Sequence, residues 1–193
     1  MQAASSTPES PDPVLAAADR LFYRRGVQAV GMDALREEAG VSLRRMYRLY
    51  PSKDALVEAY LHRRDERWRR WLRTRVEERC AQPAERPLAV FDALDEWFAG
   101  DDFRGCALVN ASAELGETTP AVRRQAECHK AAVRAYIAEL LGEAGHPGDA
   151  EDMAAELMLL IDGATVQASV GADADAAQRA KAMGERLLAR QKS

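Results

Sequence analysis

The chain has 193 residues, 47% apolar and 30% charged, which suits one large or two modest globular units with a real core. Leu, Ala, Arg and Glu dominate, and neither alternating β-branched runs nor an Asn-Gly hairpin signal occurs, which excludes a β-rich fold and leaves an all-α one. The net charge of −4 conceals an asymmetry: residues 1–79 hold 16 Lys+Arg against 12 Asp+Glu and residues 80–193 hold 11 against 19, so only the N-terminal part suits a polyanion.

Residues 1–12 open as a Ser- and Pro-rich tail ending in Asp12-Pro13, an acidic N-cap before a proline whose missing N–H costs a first turn nothing. Val14, Leu15, Ala18, Leu21 and Phe22 then form one apolar stripe, and Gly26 is the expected C-cap. A second helix is predicted over 32–39 and, after a turn at Gly40, a third over 43–49 capped by Ser42. Pro51 ends the third helix, and Ser52 caps a fourth that runs to residue 78 or 79. Further helices are expected at 87–99, 105–115, 119–143, 149–171 and 174–190, separated by stretches rich in Gly, Pro or Asp. The total is about nine.

Two short helices around a glycine turn, the second rich in Arg and Tyr, describe a helix-turn-helix. The second helix of such a pair must enter the major groove, which has room for one helix, and must present donors outward. In "LRRMYRLY" Met46 and Tyr50 are assigned inward, leaving Arg44, Arg45, Tyr47 and Arg48 outward.

The whole run "FYRRGVQAVGMDALREEAGVSLRRMYRLYPSKDALVEAYL" closely resembles the N-terminal domain of TetR-family transcriptional regulators. The resemblance covers roughly residues 14–61 and rests on an aromatic before Gly26, "AGVS", a Tyr in the third helix, an aromatic closing it, and "SK" opening the fourth. It implies a three-helix DNA-binding domain at 13–60 and a helical effector-binding and dimerisation domain at 61–193. It also implies a cytoplasmic homodimeric repressor that binds a palindromic operator and is released by a small-molecule effector. By the same resemblance Arg45 and Tyr47 face the groove, Tyr47 bonding a phosphate, and Lys53 meets the backbone at a helix N-terminus. Arg44 stands where the family often has glycine, and with Ser42 and Arg48 it completes the expected reading surface. Two positions depart from the pattern. Gly31 replaces a capping Ser/Thr, and Arg36 replaces a small residue, so it is expected either to reach a phosphate or to pair near Glu37 and Glu38.

In the body, "FRGCALVNASAEL" resembles a sixth-helix segment from one branch of the family, with Asn110 and Glu114 on one face. Val122, Ala126, His129, Val133, Tyr136 and Leu140 trace one stripe, so the His129 imidazole points inward, and Asp162 lies in the apolar run "LMLLIDGATV". Inward polar groups need partners. Two readings stand: His129 and Asp162 satisfy each other or a backbone carbonyl, or they line an effector pocket with Asn110, Glu114, Trp71 and Phe98. Leu157, Met158 and Ile161, with Ala180, Gly184 and Leu187, form two stripes read as a dimer seam, although intrachain packing uses the same pattern.

Cys80, Cys106 and Cys128 are odd in number and unpaired in spacing, which fits a reducing compartment. Cys128 and His129 are adjacent, so they diverge on a helix, and with no CxxC or HxxxH a metal site is not expected. Cys106 has only Arg104 as a basic neighbour in sequence, a thin basis for a reactive thiol. No phosphate-loop, dinucleotide or GxSxG motif argues for a cofactor or an enzyme. The remaining alternative is a scaffold relative without specific DNA binding.

Overall fold

The computed structural model describes residues 12–190; the tail expected over residues 1–11 lies outside them. The described chain is all-α: α1 (Pro13–Arg25), α2 (Met32–Ala39), α3 (Leu43–Leu49), α4 (Lys53–Arg79), α5 (Arg86–Phe98), α6 (Ala107–Leu115), α7 (Pro120–Glu143), α8 (Ala150–Ser169) and α9 (Ala176–Arg190). A single 3-10 turn at Pro83–Glu85, which the sequence pattern does not announce, leads into α5.

Local chemistry sets the N-terminal boundaries. Asp12 accepts from Val14 N and Leu15 N, Ser42 from Arg45 N and Ser52 from Ala55 N, each answering backbone donors that a helix start leaves free. Gly31 caps α2 without a side-chain bond, as expected for a residue with no side chain. Gly40 takes a left-handed conformation (φ 63°, ψ 32°), which lets α3 turn away from α2 at little cost. The second Asp12 oxygen receives the Tyr50 hydroxyl, so one side chain caps α1 and anchors the end of α3.

Two apolar cores stack along α4, which at 27 residues is about 40 Å long. The first holds Val14, Leu21 and Phe22 of α1, Leu35 of α2, Met46 of α3, and Leu56, Tyr60 and Leu61 of α4. It also takes in Ala107, Leu108 and Ala111 of α6 and Val122 and Ala126 of α7. The second gathers Leu72 and Val76 of α4 with the inner faces of α5, α7, α8 and α9. One helix therefore joins both cores.

The residues read from sequence as a dimer seam pack within the single chain. Leu157, Met158, Ile161 and Ala180 are buried within the single chain, and Leu187 packs against the same core. A Cβ on Gly184 would come within 3.3 Å of Leu157, Leu88 and Phe91, so this glycine lets α9 close on α5 and α8. These residues are spent on packing within the chain, Leu187 only in part. The opposite face of α8 is the open one, with Leu159 74%, Val166 55% and Val170 70% exposed, and Met183 of α9 is also exposed. α8 carries apolar residues on both faces, so periodicity alone gave the stripe without its direction.

Candidate functional site

α3 buries Met46 completely and leaves Tyr50 half-buried, while Arg44, Arg45, Tyr47 and Arg48 are exposed, as are Leu43 and Leu49. Lys53 opens α4 beside this surface, and exposed Ser42 spends its hydroxyl on the α3 cap. Among the described residues Arg44, Arg45, Arg48 and Lys53 enter no ion pair, so their charge is free for an external anion. Arg36 points to neither Glu37 nor Glu38. Its nearest acid is Asp33, 4.0 Å away, while Glu38 is taken by Arg20 at 2.7 Å.

The body holds a chamber between α4, α5, α6, α7 and α8, walled by Trp68, Trp97, Leu108, Val133 and Ile161 and bounded by Arg64, Cys106, His129 and the Lys130–Asp162 pair. Its void is small, about 30 Å³. Outside it, against α6, α7 and α8, lies an open groove of about 750 Å³ that shares Lys130, Met158 and Asp162 with the chamber wall. The Lys130–Asp162 ion pair therefore stands between the two.

His129 is fully inside, as its helical stripe requires, but its partner is not Asp162. Nδ1 lies 2.7 Å from Asp65 Oδ1, and Nε2 lies 3.8 Å from Cys106 Sγ. Asp65 in turn accepts two bonds from Arg69, at 2.8 and 2.9 Å. Burial opposes charge on every member, yet the mutual bonds win. His129 is raised to about 9, Asp65 is held at about 2, and the Cys106 thiol is lowered by His129 and then Lys130. The imidazolium donates from both nitrogens. Trp68 packs edge-on to this ring at 5.4 Å and keeps its indole N–H buried with no acceptor among the described residues.

The other expected pocket residues stand elsewhere. Trp71 packs against the second core beside Trp68, and Phe98 stacks with Trp97 and Phe103. Neither lines the chamber. Asn110 and Glu114 line a separate cleft between α6 and α1. Glu114 accepts from Gln28 N at 2.9 Å, and its carboxylate comes within 3.0 Å of where a Cβ on Gly26 (φ 82°) would sit, so it fastens the α1–α2 turn to α6. Asn110 donates to the Arg104 carbonyl.

Sequence reasoning missed Arg64. It lines the chamber, binds Asp19 of α1 at 2.6 Å and stacks 3.4 Å over the Tyr23 ring. The Tyr23 hydroxyl donates to the Gly105 carbonyl and accepts from Arg104 N, both at 2.9 Å, just before α6. Only a surplus of arginines along α4 hinted at it.

Residues 14–60 match the model for bacterial regulatory proteins of the tetR family, and residues 83–183, over half the chain, match the tetracyclin repressor-like C-terminal domain. The chain belongs to the TetR family. It is thus a DNA-binding transcriptional regulator, not an enzyme. This TetR-family chain is similar to a TetR-family regulator from Streptomyces coelicolor (28% identity, 92% of this chain and 93% of that one, TM-score 0.83). It is also similar to a TetR-type regulator from Streptomyces avermitilis (35% identity, 86% and 90%, TM-score 0.70). It shares its fold with CifR, solved as a cysteine mutant with 26 bp operator DNA (22% identity, 93% and 97%, TM-score 0.74). It is 38% identical over 77 residues to an uncharacterised HTH-type transcriptional regulator of Mycobacterium tuberculosis, and this match spans 38% of that relative's length and 40% of this chain. No described helix of this regulator is long and apolar enough to cross a membrane. No described group of three or more His, Cys, Asp or Glu is arranged to hold a metal ion.

Proposed function

We propose that the chain is an effector-responsive repressor that binds a twofold operator as a cytoplasmic homodimer. α3 enters the major groove with Arg44, Arg45, Tyr47 and Arg48, while Arg36, Ser42 and Lys53 flank it toward the phosphates. A second copy covers the outer face of α8, where Leu159, Val166 and Val170 recur at i, i+7 and i+11, together with Met183. The chamber around His129 and Asp162 receives the effector.

The observation that carries the effector reading is the double role of Arg64. One side chain forms part of the chamber wall and also clamps Asp19 and Tyr23 of the reading head. An occupant that displaces Arg64 or tilts α4 changes how α1, and α3 behind it, is held. A ligand works only through a difference in affinity between the two arrangements, and a typical coupling weakens operator binding roughly 5–150-fold.

The DNA-reading half is tested by titrating duplexes selected from a random library across salt concentrations. Arg45→Ala should relax preference at one or two base pairs and cost about 1–3 kcal/mol. Lys53→Ala should weaken all sequences alike and flatten the salt slope by about one unit. Parental behaviour in both variants would overturn the assignment of α3 and the start of α4.

A further inference from the structure

We propose that Cys106 is a covalent capture point: a thiolate held by the His129 imidazolium that adds to small α,β-unsaturated carbonyl compounds entering the chamber. The proposal rests on the chamber being the effector site and specifies the chemistry of what it takes.

Three independent features meet there. First, Cys106, His129 and Asp65 stand in line, 3.8 Å and 2.7 Å between successive partners, with Arg69 fixing the carboxylate from behind. A nucleophile, a proton carrier and an orienting acid in that order are what activated thiols use. Second, Cys106 is the N-cap residue of α6, where the helix dipole favours an anion, and Lys130 adds a positive charge. Third, the space beside Cys106 is walled by Trp68, Trp97, Leu108, Val133 and Ile161, an apolar lining that suits a small uncharged electrophile.

The step balances without an oxidant. The Cys106 sulfur forms a bond to the β-carbon, and the C=C electron pair moves onto the carbonyl as an enolate. The enolate then takes the proton from His129 Nε2. The products are a thioether, a saturated carbonyl and a neutral imidazole still bonded to Asp65. The buried Trp68 N–H is a donor without an acceptor, suited to the carbonyl oxygen. Entry lies past the Lys130–Asp162 pair from the open groove. Once His129 is neutral, Asp65 keeps only Arg69 as a cationic partner on α4, one residue along from Arg64.

The test is the rate of alkylation by methyl vinyl ketone, read by peptide mass mapping on the intact protein, with exposed Cys128 as internal standard. The groups facing Cys106 are Arg64, Asp65 and Arg69 of α4, His129 and Lys130 of α7, and Asp162 of α8. An ordinary thiol gains about tenfold in rate per pH unit below its pKa of about 8.5, as Cys128 should. Cys106 should be labelled about tenfold faster than Cys128 at pH 6 and climb less steeply than Cys128 up to pH 8. His129→Gln should restore the ordinary pH slope. Cys106 labelling that is slower than Cys128 and climbs with pH overturns the proposal, and that wild-type result needs no variant to fold. A DNA arm reports separately on the chamber. Release of a selected duplex by labelled wild type, absent in treated Cys106→Ser, upholds the effector site. Unchanged affinity of fully labelled protein overturns that site, while the labelling rates still decide capture.

Discussion

The His129–Asp65 pair should make stability depend on alkaline pH in a way that one substitution removes. His129 is raised from 6.5 to about 9, so its contribution is fully present below pH 6.5 and is lost as pH rises through about 9. Asp65 is lowered from 3.8 to about 2, so its side of the pair is present above pH 3.8 and fades only as pH falls through about 2. Over that interval Asp65 stays ionised, and the Cys106 thiol lowered by His129 titrates with the opposite sign, so the share of the histidine's rise that comes from Cys106 cancels and Asp65's share remains. The His129 side chain is 5% exposed, so solvent screening removes little, and a rise of that size is worth about 3 kcal/mol, counted once for the coupled group. Urea unfolding at intervals from pH 6 to pH 10 should show a net loss below that figure in the wild type. His129→Gln keeps a neutral hydrogen-bonding group of similar reach, so it should start less stable at pH 6 and show a nearly flat profile over the same interval. Equal slopes in the two proteins would refute the pairing. Cys106→Ser separates the thiol's share, since Asp65 remains as partner.

The proposed dimer face predicts opposite outcomes for two substitutions. Gly184→Leu should lower stability by about 1–3 kcal/mol through overpacking against Leu88, Phe91 and Leu157, without directly touching a second chain. Leu159→Glu should leave the fold intact and shift sedimentation toward monomer; a Leu159→Glu protein that stays dimeric would move the interface elsewhere. Arg64→Met keeps the apolar stem but releases Asp19, which Arg67 still holds at 2.8 Å. It should leave DNA affinity within a few-fold while abolishing release by an occupant of the chamber, checked by duplex titration with and without methyl vinyl ketone; full release in Arg64→Met would refute the coupling.

Much of the reading head was legible because its instructions are local. Asp12, Ser42 and Ser52 act on backbone donors two or three residues away, and Gly26 and Gly40 act through their own dihedrals. The helices of the body were placed to within two residues by the Gly-, Pro- and Asp-rich breaks between them, although α5 to α8 start without a side-chain cap. The site was less legible because its partners are remote in sequence. His129 meets Asp65 across 64 residues and Cys106 across 23, and Gln28 meets Glu114 across 86. Inspecting the neighbours of Cys106 in sequence found Arg104, whose guanidinium bonds the Asp101 and Phe103 carbonyls instead. The inward phase of His129 was readable from period alone. Its partner was not, because a stripe says which way a side chain points and nothing about what stands opposite. α8 failed in a second way: apolar on both faces, it needed two partners, and the pattern supplied no reason to choose between them.

The core of the reading head is completed by Ala107, Leu108, Ala111, Val122 and Ala126, all from helices more than forty residues past its end. The head is therefore no cassette. A chimaera joined at residue 60 would graft a reader with one wall of its interior missing, and the lost contacts would belong to α6, the helix whose first cap is Cys106. What can be exchanged between such regulators is the outward skin of α3, since Arg44, Arg45, Tyr47 and Arg48 bear on nothing inside. New operators are reachable by repainting that surface, whereas new head-and-body pairings require the α6 and α7 contacts to be recut as well.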